Sequence, residues 1–72
     1  MKLEEKLELL ETMLELDEGT LTVEMKLADI EEWDSFSKLY LVSWVKKNMQ
    51  ERLTVKQVNE FLTVEDICNY IH

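Results

Sequence analysis

Apolar residues recur at every third or fourth position along two long stretches of this chain. On an α-helix that spacing places side chains on one face, which can be buried against the rest of a domain. In residues 2–16 the apolar positions are Leu3, Leu7, Leu10 and Leu14. In residues 36–53 they are Leu39, Val42, Val45, Met49 and Leu53. The spacing predicts two amphipathic helices, each with one buried face.

Residues that favour helix ends flank both stretches. Gly19 follows the first helix and is the only glycine of the chain, which predicts a left-handed C-terminal cap there. Either Asp34 or Ser35 can cap the start of the second helix, because a short polar side chain accepts a hydrogen bond from a free backbone N–H.

Two shorter helices are predicted near the C-terminus. Residues 54–57 fit the capping-box pattern S/T-x-x-E/Q, and residues 63–66 nearly match it. They indicate helices over about 55–61 and 64–71, which need packing because isolated helices this short are marginal. The apolar residues available for that packing are Val58, Phe61, Val64, Ile67, Cys68 and Ile71.

Residues 20–34 form a long connection without a sustained period. Its apolar residues are separated by acidic and polar ones and are Leu21, Val23, Met25, Leu27, Ile30 and Trp33. We expect them to hold the loop on the core. A short β-hairpin is the alternative, although the residues typical of its turn are missing. The 72 residues allow one domain, over 1–72, and the elements predict an all-α fold: a four-helix bundle with a long first loop and a short third helix.

The charge of the chain is strongly acidic and unevenly placed. Eight basic and 16 acidic residues give 8 − 16 = −8. Residues 1–34 hold three Lys and twelve acids, for −9, and residues 35–72 hold five basic residues and four acids, for +1. The net charge argues against binding to nucleic acid or anionic membranes. The longest apolar run, residues 39–42, is too short to span a bilayer, so we expect a cytoplasmic protein without membrane insertion.

The residue types needed for catalysis are scarce. The only histidine is His72, the last residue, and the only cysteine, Cys68, lies on the apolar stripe of the last helix. One cysteine forms no internal disulfide and no structural zinc site. The acids of the loop lack the spacing of an EF-hand, so no metal site is predicted. The chain is therefore not expected to be an enzyme.

The tripeptide Asp34-Ser35-Phe36 places a hydroxyl at the start of a helix, directly after the long loop. It has two interpretations. Ser35 can be a plain helix cap, or it can be a modification site, because a phosphate at a helix N-terminus meets free N–H groups and the positive end of the helix dipole.

The tripeptide resembles the D-S-[LF] motif of acyl carrier proteins, whose Ser receives 4′-phosphopantetheine. Residues 39–49 are similar to the second helix of that family. Residues 61–71 are similar to its closing segment, with the pattern T-V-x-D-[VI]-x-x-[YF]-I. Length, acidic charge and helix order agree as well, so the resemblance covers essentially the whole chain.

The resemblance implies a stand-alone, monomeric carrier in which a phosphopantetheinyl transferase attaches the arm of coenzyme A to Ser35. The arm would hold acyl groups as thioesters and present them to acyl-loading and acyl-transferring enzymes of fatty acid or polyketide biosynthesis. Asp34 would help to engage the transferase, and Ser35 would be an attachment site without a catalytic role.

The second helix departs from the acidic partner-binding helix of fatty-acid carriers. At about 100° per residue, Phe36, Tyr40, Ser43 and Lys47 share a face away from the predicted buried stripe. The resemblance assigns Phe36, Tyr40 and Lys47 to partner binding, which indicates a specialised carrier. Tyr40 and Trp44 have two open interpretations, packing within the domain or contact with a partner.

Two alternatives share the same predicted fold. The chain can be a D-alanyl or peptidyl carrier, although D-alanyl carriers usually have a Gly after the Phe, where Ser37 stands here. It can also be a helical adaptor that binds its partner non-covalently, with Ser35 only a helix cap.

Overall fold

A computed structural model describes residues 1–71. Its elements are α1 (Leu3–Leu14), a 3-10 turn (Leu27–Asp29), α2 (Ser35–Met49), α3 (Val55–Glu60) and α4 (Val64–Tyr70). α1 packs against α2 and α4, and α2 packs against α3. The predicted all-α class is confirmed for residues 1–71, where the only β-type pairing is a single bridge between Lys26 and Thr63.

The buried face of α2 differs from the prediction. Leu41 and Val45 are 0% exposed, whereas Leu39, predicted to be buried, is 56% exposed. Val42 and Met49 are half-buried. Leu39 and Leu41 lie about 200° apart on a helix, so only one of them can face the core. Spacing alone does not select between two leucines, and the packing of α1 and α3 on α2 selects Leu41.

Packing also decides which leucines of α1 are buried. Leu10 and Leu14 belong to the core, as predicted, but Leu3 in the first turn is exposed. Leu3 lies at the start of α1, where burial would require a neighbouring element that covers the first turn.

The first helix ends earlier than predicted, and a different residue caps its C-terminus. Glu15, with φ 57°, takes the left-handed conformation that the sequence suggested for Gly19. The amides of Glu15 and Leu16 bond back to the carbonyls of Thr12 and Glu11. Gly19 also has a positive φ, of 83°, but it lies in the turn that follows.

The second helix ends at Met49 and not at Leu53, because Gln50 adopts a left-handed φ of 55°. Placing a residue other than glycine in the left-handed backbone conformation costs about 1–2 kcal/mol. The reversal brings Leu53 and Val58 into the core, where they are almost fully buried. Burial of such side chains is worth roughly 1.5–3 kcal/mol each, which outweighs the backbone cost.

The long loop is held on the core, as predicted, by buried Leu21, Leu27 and Ile30. It is also tied by backbone bonds to the segment before α4. The amide of Leu27 donates to the Leu62 carbonyl at 2.9 Å, and the amide of Val64 donates to Met25 at 3.0 Å. Apolar and polar residues alternate over 21–27, which is typical of an extended segment. This pattern could have predicted that the loop pairs with another segment.

Both short helices begin as predicted. The Thr54 hydroxyl accepts from the amide of Gln57, and the Thr63 hydroxyl accepts from the amide of Asp66. The four apolar residues predicted to pack α4, at positions 64, 67, 68 and 71, are all buried. Within residues 1–71, no helix combines the length and apolar character required to cross a membrane.

Candidate functional site

The start of α2 is fixed by Asp34, which settles which residue is the cap. The Asp34 carboxylate accepts a hydrogen bond from the Ser37 amide at 3.1 Å, and the backbone carbonyl of Asp34 accepts one from the Lys38 amide at 3.0 Å. Ser35 is therefore the first residue inside the helix and not its cap.

The hydroxyl of Ser37 is used entirely within the fold. This side chain is 6% exposed, and its oxygen accepts from the Asp34 amide at 2.9 Å. It also lies 2.9 Å from the Glu32 carbonyl, to which it can donate. These bonds tie the end of the long loop to the first turn of α2, so Ser37 is a structural serine.

The hydroxyl of Ser35 has the opposite environment. Ser35 is exposed, and among residues 1–71 no hydrogen-bond partner is found for its side chain. It lines a groove of about 300 Å³ between α2 and α3. The residues that line this groove are Ser35, Lys38, Leu39, Val42, Val55, Val58 and Asn59. A group attached to the Ser35 oxygen would therefore adjoin an apolar surface.

Lys38 of α2 and Asn59 of α3 both line this groove. The Lys38 ammonium group donates to the Asn59 side-chain oxygen at 3.2 Å and lies 6.0 Å from the centre of the Trp33 ring. Sequence reasoning assigned no role to Lys38 or Asn59. They are 21 positions apart, and no periodic signal connects a residue of α2 to one of α3.

The outer face of α2 carries the residues assigned to partner binding. Phe36 is 86% exposed and Tyr40 is 54% exposed, whereas Trp44 is half-buried against the core. Tyr40 is thus available at the surface, while Trp44 has a packing role. The residues that line a groove of about 560 Å³ on this face are Phe36, Leu39, Tyr40, Ser43, Trp44, Lys47 and Asn48.

Cys68 is buried, as the apolar stripe of α4 predicted. Burial raises the pKa of its thiol, an effect that nearby Lys6 partly opposes. The thiolate is therefore scarce at neutral pH, and a buried thiol of this kind is a poor nucleophile. The Lys6 ammonium donates to the Cys68 carbonyl at 2.8 Å and links α1 to α4.

Residues 1–71 contain no cluster of three or more His, Cys, Asp or Glu that could hold a metal ion. His72 lies outside the described residues.

Comparison with protein-family models, with curated proteins and with solved structures found no match to this chain. The site must therefore be interpreted from its own geometry. Two features of that geometry would suit an attached phosphopantetheine: the exposed Ser35 hydroxyl, which has no hydrogen-bond partner among residues 1–71, and an adjoining groove lined by the cation Lys38.

Proposed function

We propose that this protein is an acyl carrier that bears 4′-phosphopantetheine on Ser35. The terminal thiol of such an arm carries an acyl group as a thioester. The chain itself supplies the attachment oxygen, the groove beside it and the surface that partner enzymes contact. On this proposal it performs no catalysis.

The contrast between Ser35 and Ser37 is the observation that carries the proposal. Two serines lie two positions apart at the start of one helix. The buried hydroxyl of Ser37 bonds to the loop, while the exposed hydroxyl of Ser35 has no bond among the described residues. A plain helix cap would accept a bond from a first-turn amide, and Asp34 already does so. The start of α2 is thus capped by Asp34 and tied to the loop by Ser37, without the Ser35 side chain.

The surroundings of Ser35 support its use by a transferase. The loop leading to it is anchored by buried side chains, and α2 begins directly after the capping residue Asp34, so the backbone that bears the hydroxyl is held in place. The all-α fold and the order of the helices agree with the carrier architecture. Asp34, held by its capping bonds, is a rigid acidic neighbour that a phosphopantetheinyl transferase can contact.

We assign the outer face of α2 to partner enzymes. Phe36 and Tyr40 expose aromatic surface next to the attachment site, and Lys47 adds a positive charge to the same groove. Exposed aromatic residues are enriched at protein interfaces. Acyl-loading and acyl-transferring enzymes that dock here would reach the arm on Ser35. D-alanyl and peptidyl groups are the alternative cargoes.

Intact-mass measurement tests the proposal. The protein is incubated with a broad-specificity phosphopantetheinyl transferase, coenzyme A and magnesium. We expect the mass of one phosphopantetheine to be added to the wild type and to Ser43→Ala, and none to Ser35→Ala. Ser43 is a matched control, because it is also an exposed serine of α2. An unmodified wild type, or equal modification of Ser35→Ala, would refute the proposal.

One observation favours a second candidate function. The groove that contains Phe36 and Tyr40 could bind a partner without any covalent arm, as in a helical adaptor. The adaptor predicts that Ser35→Ala keeps full function and that the transferase adds no mass. The same measurement therefore separates the two candidates.

A further inference from the structure

Lys38 is a cation held by neutral groups. Its ammonium contacts the amide oxygen of Asn59 and lies near the Trp33 ring. No carboxylate lies within ion-pairing distance of it in the described residues. The nearest acid in sequence, Asp34, keeps its negative charge, but its carboxylate bonds to the Ser37 amide. Lys38 therefore forms no ion pair among the described residues and can accept one from an added anion.

This cation lies beside the attachment site. Ser35 and Lys38 are three positions apart on α2, so their Cβ atoms are about 5–6 Å apart. Both line the groove between α2 and α3, and so does Asn59. Lys46 and Lys47, the other lysines of α2, do not line it.

We propose that Lys38 binds the phosphate of a group attached to Ser35, and that Asn59 positions Lys38 for this contact. The inference deepens the proposed function and rests on it. A phosphodiester on the Ser35 oxygen carries one negative charge next to a cation that forms no ion pair among residues 1–71. The contact would direct the first part of the arm along α2 towards α3 and away from the exposed aromatic face.

The test places a phosphate on Ser35 without a transferase. Phosphoserine is incorporated at position 35 by genetic-code expansion, and the phosphate is titrated by phosphorus NMR. A phosphoserine loses its second proton at a pKa of about 6. A nearby cation favours the doubly charged form and lowers this midpoint. We expect Lys38→Met to raise the midpoint by about half a pH unit at low ionic strength.

Three further variants control the titration. Lys46→Met removes the same charge elsewhere on α2 and should leave the midpoint unchanged. Lys38→Arg keeps the positive charge, and its midpoint should lie close to that of the wild type. Asn59→Ala keeps Lys38 but removes its hydrogen-bond partner. It should raise the midpoint, as Lys38→Met does, but by a smaller amount. The Asp34 carboxylate is present in every variant, so it does not contribute to the differences.

The outcomes separate this inference from the function it rests on. Equal midpoints for wild type and Lys38→Met, or an equal shift for Lys46→Met, would overturn the contact with Lys38. An unchanged midpoint in Asn59→Ala would overturn the positioning role of Asn59. These results are obtained whether or not the transferase modifies Ser35, which is the separate test of the carrier function. Far-UV circular dichroism of each variant confirms that α2 is intact.

Discussion

The two faces of α2 are built from similar residues but have different environments. The inner face contains Ser37, Leu41 and Val45, all buried. The outer face exposes Phe36, Leu39 and Tyr40, with Lys47 in the same groove. The inner face has Ser37 and Leu41, and the outer face has Ser43 and Leu39. Whether a serine or a leucine of α2 is buried therefore depends on its position relative to α1 and α3 and not on its residue type.

The difference shows how one short helix serves two purposes. Its inner face supplies the packing and hydrogen bonds that hold the domain together. Its outer face exposes apolar surface that a domain of this size would otherwise bury for stability. We interpret that exposure as a surface kept for partners, and the following substitutions test whether the two faces are independent.

The largest expected effect comes from the two leucines. Leu41→Ala removes a fully buried side chain and leaves a cavity, which should lower the free energy of unfolding by about 3 kcal/mol. Leu39→Ala makes the same chemical change two positions away, on the exposed side, and should cost less than about 1 kcal/mol. Urea denaturation of both variants measures the difference. Similar losses would show that Leu39 packs in solution and would remove the distinction between the faces.

Thiol reactivity provides the next comparison. Cys68 lies in the core, and burial raises its pKa. We expect it to react with an aromatic disulfide reagent at least about 100-fold more slowly than a cysteine introduced as Leu39→Cys. The reaction is followed by absorbance at about pH 8, and denaturant should make the two thiols equally reactive. Rapid modification of Cys68 in the folded wild type would contradict its burial.

The two serines give a smaller effect on stability. Ser37→Ala removes the hydroxyl that bonds to the Asp34 amide and the Glu32 carbonyl, two groups that still bond to each other at 3.0 Å, and should cost about 1 kcal/mol. Ser35→Ala removes a hydroxyl with no bond among the described residues, and should change stability by less than about 0.5 kcal/mol. Thermal denaturation compares them. If Ser35→Ala were the more destabilising variant, Ser35 would have a structural role that the carrier proposal excludes.

The smallest effect concerns acid stability at the start of α4, away from both faces of α2. The Asp66 carboxylate accepts from the amides of Leu62 and Thr63, and these bonds lower its pKa. Because the folded pKa lies below the ordinary value, the stabilisation is present above the ordinary value. It is lost as the pH falls through the folded pKa. The stability advantage of wild type over Asp66→Asn should therefore shrink between about pH 6 and about pH 3.

Glu60→Gln, at the end of α3, removes one negative charge from an exposed side chain and controls for the change in net charge alone. An advantage of wild type over Asp66→Asn that stays constant with pH would mean that the carboxylate is not stabilised by these two amides.

The local elements were predictable because their signals are local. Helix periodicity, a cap at Asp34 or Ser35 and the capping boxes of α3 and α4 each depend on residues within one turn of each other. The ends of α1 and α2 were not predictable, because Glu15 and Gln50 take left-handed conformations that their residue types do not favour. These conformations are compensated by bonds and burial elsewhere.

The candidate site divides in the same way. The motif around Ser35 was visible in the sequence, and so was the shared face of Phe36, Tyr40 and Lys47. The buried role of Ser37 and the contact of Lys38 with Asn59 were not, since they depend on the Glu32 backbone and on the packing of α3.

By itself, the sequence determined which stretches become helices, where the two short helices begin and which tripeptide could bear a modification. Tertiary structure decided which leucine of α2 enters the core, which serine remains exposed and which residue of α3 contacts Lys38. Helix periodicity depends on spacing along one chain segment, whereas burial depends on which other segments cover that helix. Those covering segments are α1, α3 and the long loop, and their positions are set by the fold as a whole.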